Sequence, residues 1–542
     1  MIMNFKKIAS VIVAAALTAS ISVSSMFAFA EGESPVSPET SDTSSDGTVS
    51  DGVLKFEYID GGVKVVGCDS GVSELNIQEL LNGYSVIEIG ENAFADCQKL
   101  SKVTFPKTLK KIDSCAFLNC YGLNEITIPE SVTEFGDAVF QNCMMLQKVE
   151  IKGKLQNIPT GTFYNCQLLS EVNIPDTVTY IGACAFDTCA TLSEIKIPDS
   201  VTQIDAYAFR NCYVLGKLNL PKNLNALGGC AFMNCYNFTE ITVPEENKYF
   251  TVEDNVLYNK DKTQLIGTAA LAVNGNIEIP RSVTTIQPYA FAGCVNLKSV
   301  VIPTGIEIID EGTFGYCESL TEINIPEGVT EIGTMAFTNC DNITSVKFPT
   351  TLKKIGSAAF YFNKSLSEVS FGSGIETISS GAFLDCPSLM NVKVPASVKE
   401  IGEYAFGFES NADGTEAVKL EGFKMKVDAG SKADEYARTN GIACEKSGAD
   451  LKKIAFIVVC AGVGLATIVI AIVILRKGKK KPEADESEES ESELTAEETE
   501  GYTSILDNEN PEDNDTKAET KSEEESSESE KEEESPESDT ED

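Results

Sequence analysis

Seventeen cysteines and no histidine bound the chemistry open to this chain of 542 residues. Eleven of the cysteines fall in one slot, three residues after a recurring phenylalanine: Cys97, Cys120, Cys143, Cys166, Cys189, Cys212, Cys235, Cys294, Cys317, Cys340 and Cys386. Thiols close disulfides, hold metals or attack as nucleophiles. A nucleophile needs a base beside it, and without histidine neither a Cys-His pair nor a Ser-His-Asp triad can be assembled. An HExxH zinc site is excluded for the same reason, and no tight C-x-x-C pair of the kind that holds structural zinc occurs. No P-loop, calcium loop or phosphate-binding glycine loop stands out. Carboxylate pairs are too frequent in a chain with 83 acidic residues for any one to mark a glycosidase dyad. The expectation is a non-enzymatic protein with no catalytic, metal or cofactor-binding residues.

The elements that must position these thiols repeat. Phenylalanine recurs every 23 residues from Phe94 to Phe232 and, after a gap of 59, from Phe291 to Phe406, thirteen copies in all. The unit reads L-x-x-I-x-I-P-x-x-V-x-x-I-G-x-x-A-F-x-x-C-x-x, as in Ile126, Ile128, Pro129, Val132 and Phe135. The I-x-I alternation predicts a short strand with one buried face. Proline has no N–H to donate, so it ends the ladder. V-x-x-I and A-F-x-x-C supply inward side chains on a bent, irregular return. The glycine after that isoleucine, as at Gly136 and Gly356, is expected to be a turn residue. One unit cannot bury its apolar side, whereas stacked units can. The expected fold class is therefore an α/β-type solenoid of mostly short parallel strands about 4.8 Å apart.

Stacking turns the cysteine slot into a column. Parallel Cβ vectors do not meet disulfide geometry, and a buried cysteine fills space as a small apolar group does. A ladder of reduced, slowly reacting core thiols is favoured over disulfides or metal. On this basis Cys189→Ala costs a modest cavity, and Cys189→Ser costs more because a hydroxyl is buried without a sure partner. Cys68, Cys444, Cys115, Cys184 and Cys230 lie outside the column and are expected to react sooner. The last three sit five residues before a column cysteine, so a pairing within one coil stays open.

With these motifs, residues 53–446 resemble the BspA-like leucine-rich repeat surface proteins of bacteria. The resemblance implies a leucine-rich repeat superhelix with an N-terminal cap at 53–93 and repeats at 94–244 and 277–408. It implies an insertion at 245–276, marked by Asn255-Val-Leu-Tyr258-Asn-Lys-Asp261-Lys-Thr263. It also implies a C-terminal cap at 409–446, marked by Gly430-Ser431, Tyr436-Ala437 and Asn440-Gly441. Lys152 and Gly372 replace the proline, Asn363 and Glu409 replace the cysteine, and local weakening is expected there. By the same resemblance the role is adhesion or recognition of an extracellular protein or glycan. A structural envelope spacer without a dedicated ligand is the alternative.

Charge and hydropathy set the surroundings. Lys plus Arg is 43 and Asp plus Glu 83, a net charge of −40, and residues 482–542 alone carry 28 acidic and 3 basic groups. Phosphate contacts need clustered cations, so a nucleic-acid partner is excluded. Residues 1–30 read as a signal peptide, with Lys6 and Lys7, an apolar run from Ile8 to Phe27, and Ala28-Phe29-Ala30 at the cleavage site. Residues 31–52 and 482–542 are too poor in apolar groups to offset chain entropy and are expected to be disordered. Residues 454–475 carry no charge and span about 33 Å as a helix, enough for one membrane crossing. Arg476, Lys477 and Lys479 to Lys481 follow it, which places the acidic tail in the cytoplasm and the repeats outside the cell membrane.

Binding residues are sought on the outward slots. Thr127, Glu150, Lys196 and Lys347 occupy the middle of the strands, a polar column without aromatics that reads equally as a solvated face. Tyr121, Tyr213 and Tyr236 share the slot after the cysteine, with Tyr207 and Arg210 near by. Tyrosine and arginine are enriched at binding hot spots. Packing between coils accounts for them almost as well. The candidate patch is Tyr121, Tyr207, Arg210, Tyr213, Tyr236, Lys196 and Lys347.

Overall fold

A computed structural model describes residues 48–411 and 413–447 of the protein. The expected signal peptide, membrane helix and acidic tail, residues 31–47 of the linker, and Cys460 lie outside the described residues. The end of the 31–52 linker is ordered, contrary to expectation, because Thr48–Ser50 pairs with the cap's first long strand, so the cap starts at 48 and not at 53. Among the described residues no helix is long and apolar enough to cross a membrane.

The I-x-I segments form the expected parallel column. Lys148–Ile151 pairs with Glu125–Ile128 on one side and Glu171–Val172 on the other, each residue matched to the one 23 positions away. Their side chains alternate as the pattern requires: Val149 and Ile151 are buried, Lys148 and Glu150 exposed. A second strand per coil was not expected. The x-I pair after the proline turn forms its own parallel column, as in Asn157–Ile158, Tyr180–Ile181, Gln203–Ile204 and Ala226–Leu227. Two residues are too few to show alternation, so the pattern looked like irregular return. The α/β label also needs correction. The coils carry no described helix, and the one helix among the described residues, Lys432–Thr439, belongs to the C-terminal cap. The fold is a β-solenoid of mostly parallel strands.

The phenylalanines stack into the core. Ring centroids from Phe94 to Phe232 are 4.8–5.7 Å apart, and from Phe291 to Phe406 4.9–5.3 Å apart. The backbone around each ring is left-handed at regular points. The residue two before the phenylalanine has φ near +55° in every coil, whether it is Gly161, Cys115, Ala138 or Tyr207. The residue two after it is asparagine in six of the thirteen coils, a residue that tolerates that conformation better than most. This lets alternate N–H groups reach the next coil: Cys115, Phe117 and Asn119 donate to the carbonyls of Asp137, Val139 and Gln141 at 2.8–2.9 Å. The asparagines also join side to side. Asn142 Nδ2 donates to Asn119 Oδ1 at 2.8 Å, and Asn165 Nδ2 to Asn142 Oδ1 at 2.9 Å.

The glycine after the isoleucine is not a turn residue. Gly136 has no positive φ, and a Cβ there would lie 2.2 Å from Ser114 N. At Gly356 it would lie 2.5 Å from Gly333 C. These glycines are needed because successive backbones touch.

The thiol column is bonded, not merely packed. Cys143, Cys166 and Cys189 donate from Sγ to the carbonyls of Phe117, Phe140 and Phe163, one coil back, at 3.2, 3.2 and 3.4 Å. Burial pushes each of these three thiols well above the ordinary range, so reactive thiolate is scarce. Asn363 fills the slot with the same bond, Nδ2 to Phe337 O at 2.8 Å, but leaves its buried Oδ1 without a partner. Any weakening there comes from the orphaned oxygen. Lys152 weakens nothing in the ladder: its N–H, which proline lacks, donates to Ile128 O at 3.0 Å.

The order expected for Cys189 therefore reverses. A serine hydroxyl finds the Phe163 carbonyl, whereas alanine leaves that carbonyl with one donor fewer. Cys189→Ala is expected to cost about 1–2 kcal/mol and Cys189→Ser less. Urea midpoints of the two variants check this; a lower midpoint for serine would show that the thiol bond contributes nothing.

The insertion repeats the N-terminal cap. In the cap, Thr48–Ser50, Leu54–Ile59 and Gly62–Cys68 form an antiparallel meander, and the last strand joins the x-I column by pairing Val65 with Ile89. In the insertion, Phe250–Glu253, Val256–Asn259 and Gln264–Thr268 form the same meander, and Leu265 pairs with Ile286. Even the bulge recurs, between Lys55 and Phe56 and between Leu257 and Tyr258. Buried Asn247 closes the first array, donating to the carbonyls of Pro221 and Leu224 and accepting from the N–H groups of Tyr249 and Phe250. At the other end, Tyr436 Oη donates to Phe406 O at 3.0 Å and accepts from Phe406 N at 3.1 Å, which caps the last ring.

Candidate binding surface

Regular coils display each slot as a line, so a binding surface must be a stretch where one slot departs from its own repeat. The strand face of the first array is an open groove walled by Lys102, Glu125, Lys148, Glu150, Lys152, Glu194, Lys196 and Lys217. The 23-residue register sets opposite charges side by side: Lys148 lies 2.5 Å from Glu171 and Lys217 2.7 Å from Glu240. All four are exposed, and such pairs contribute little energy. The face is largely neutralised by its own neighbours. A separate pocket where Phe232 and Tyr289 come together holds about 40 Å³, room for a few waters at most.

The proposed patch residues fall into three places. Lys196 and Lys347 are exposed on the strand face, one in each array. Arg210 is held elsewhere: its Nε donates to Asp187 at 2.8 Å, its guanidinium lies 4.7 Å over the Tyr207 ring, and the Asp187 carboxylate is fully buried. Burial holds the Asp187 carboxyl above its ordinary value even beside the guanidinium. Arg210 is thus a structural pin. Tyr121, Tyr213 and Tyr236 share the turn that leads from the thiol column into the strands. The rings of Tyr213 and Tyr236 stack at 6.4 Å, Tyr236 Oη donates to Asn234 Oδ1 at 2.6 Å, and Tyr121 lies four coils away.

Four residues passed over in the sequence fill the space between. Met144 and Tyr121 share one slot; Met145, Leu168 and Val214 occupy the next one and are 46%, 37% and 40% exposed. The first of these slots later holds Val295, Glu318, Asp341, Lys364 and Pro387, and the second holds Asn296, Ser319, Asn342, Ser365 and Ser388. The second slot therefore carries a contrast: the first array has Met145, Leu168 and Val214 there among Lys99, Gly122, Thr191 and Asn237, whereas the second array has only asparagine and serine. Only comparison of one slot along all coils reveals it, because single exposed apolar residues are ordinary.

Residues 72–193, 156–267 and 275–412 match the family profile described as BspA type leucine rich repeat region, in six copies. No curated protein matches the chain. Among solved structures, a leucine rich cell surface protein from Faecalibacterium prausnitzii is 26% identical over 61% of this chain and 96% of its own, with a TM-score of 0.53. The pneumococcal vaccine antigen PcpA is 20% identical over 74% of this chain and 99% of its own, with a TM-score of 0.45. A leucine-rich repeat protein from Bacteroides ovatus is 21% identical over 74% of this chain and 100% of its own, with a TM-score of 0.36.

Proposed function

The chain belongs to the BspA type leucine-rich repeat family, and from that premise we propose that its solenoid is an adhesive, protein-binding module displayed on a cell surface. The observation that carries the binding site is the edge of the first array, where exposed Met145, Leu168 and Val214, with Tyr121, Met144 and Tyr213 in the slot beside them, stand where the second array is mostly polar. Methionine and tyrosine are enriched in interface cores, and exposed apolar groups gathered in one line mark contact surfaces. The likeness to a leucine rich cell surface protein supports display outside the cell, as do the signal and membrane segments expected at 1–30 and 454–475. The module is non-enzymatic: without histidine, neither the Ser-His nor the Cys-His chemistry is available.

The test is binding of cells displaying the full chain to a panel of matrix proteins, host-cell proteins and glycans. Met145→Glu with Leu168→Glu should lower saturable binding to a protein at least tenfold without moving the unfolding midpoint, since both side chains are exposed. Protease added to intact cells should remove binding and leave the acidic tail intact. Loss on Lys196→Glu or Lys347→Glu instead would move the site to the strand face, and silence across the whole panel would favour a spacer.

A further inference from the structure

The two arrays open on the same meander but differ at one position. Val65 and Leu265 hold the same register, each paired with the isoleucine five residues before the first phenylalanine of its array. Three residues on stand Cys68 and Thr268, in the related runs Val65-Val66-Gly67-Cys68 and Leu265-Ile266-Gly267-Thr268. Thr268 Oγ1 lies 3.2 Å from the Sγ of Cys294, the first thiol of the second column. Cys97 is the matching first thiol of the first column. The next thiols, Cys120 and Cys143, donate to the phenylalanine carbonyl one coil back, but behind Cys97 there is no such coil. Cys68 stands in that place by register: it packs against the core that contains Cys97, and its own Sγ donates to Asp69 O at 3.4 Å.

We propose that Cys68 and Cys97 are a disulfide-forming pair that fastens the N-terminal cap to the first coil when the protein meets a disulfide oxidant such as oxidised glutathione. Cys68 is the accessible member and Cys97 is buried. The Cys68 thiolate attacks one sulfur of glutathione disulfide, whose S–S bond breaks to release one glutathione thiol. Cys97 then attacks the Cys68 sulfur, closes the protein disulfide and expels the second glutathione. Two protein thiols are oxidised, one glutathione disulfide is reduced to two thiols, and the two protein protons end on those thiols. The two thiols act on each other: Cys97 and burial push the Cys68 thiol well up, while Cys68 draws the Cys97 thiol down against burial. The first attack is therefore the slow step and the closing attack the fast one. The second array keeps the same joint but, with threonine in place of the partner cysteine, cannot be oxidised there.

Full-length reduced protein, incubated with oxidised glutathione and mapped by mass spectrometry without reduction, tests this. The expected product is a Cys68–Cys97 cross-linked peptide two hydrogens lighter than its parts, with the thermal midpoint raised by several degrees. Cys68→Ser, whose hydroxyl takes the role of Thr268, should fold, give no cross-link and show no shift with oxidant. Glutathione retained on Cys68 beside a free Cys97 thiol, a Cys97–Cys120 link instead, or an equal midpoint rise in Cys68→Ser would each overturn the pairing.

Discussion

Phe186→Ala is expected to lower stability by about 3–5 kcal/mol. The ring is fully buried, with Phe163 at 5.3 Å and Phe209 at 5.1 Å on its two sides. Truncation therefore empties a site between two flat rings that cannot close over it without moving their coils. The loss spreads, because each coil is stable only through its neighbours. The Phe186 carbonyl also accepts from Cys212 Sγ at 3.3 Å and would lose its fixed position. Phe232, half-buried at the end of its column, supplies the control: alanine there should cost clearly less. Equal losses at the two sites, measured by urea unfolding, would show that stacking is not what stabilises the column.

Asp187→Ala should be nearly as damaging, at about 3 kcal/mol, because it leaves the part-buried Arg210 cation without its partner. Asn211 Nδ2, at 3.1 Å, and the Thr188 hydroxyl, at 3.0 Å, also donate to this carboxylate and would lose their acceptor. Asp187→Asn keeps an acceptor and should cost less. The pH dependence separates the charge from the shape. Burial raises the folded carboxyl above the 3.8 of the unfolded chain, so protonation favours the folded state. Wild type should gain stability relative to Asp187→Asn as pH falls through the folded value to about 3.8, and lose that gain as pH rises. A difference that shrinks on acidification would mean that Arg210 dominates and the carboxyl is depressed instead.

The column from Glu125–Ile128 onward was legible because I-x-I alternates and proline marks its end. The x-I column was not, since two residues carry no period. The thiol slot was legible as buried, but its bonding was not: filler and donor both predict an inward, unreactive cysteine. Asn363 held the clue, as an amide in a buried slot makes sense only if something there accepts a proton. The kinship of cap and insertion escaped notice because they share so few residues, chiefly the Val65–Cys68 and Leu265–Thr268 runs, and their turns differ in length. The candidate edge was legible in part. Tyr121, Tyr213 and Tyr236 stood out by residue type, whereas Met145 and Leu168 mean something only beside Asn342 and Ser365. Arg210 misled because its buried partner, Asp187, lies a full coil away in the chain.

The uniform joint between coils has a consequence for inheritance. Ring meets ring in every coil of an array and thiol meets carbonyl in most, at one repeat's distance, so coils within an array present closely similar upper and lower surfaces. Unequal recombination that gains or drops one unit leaves every remaining joint intact and both array ends in place. The number of coils can then drift between lineages while the edge residues change independently, since no side-chain hydrogen bond of the joint uses Met145 or Leu168 and the Leu168 N–H bond to Met144 O is made by backbone alone.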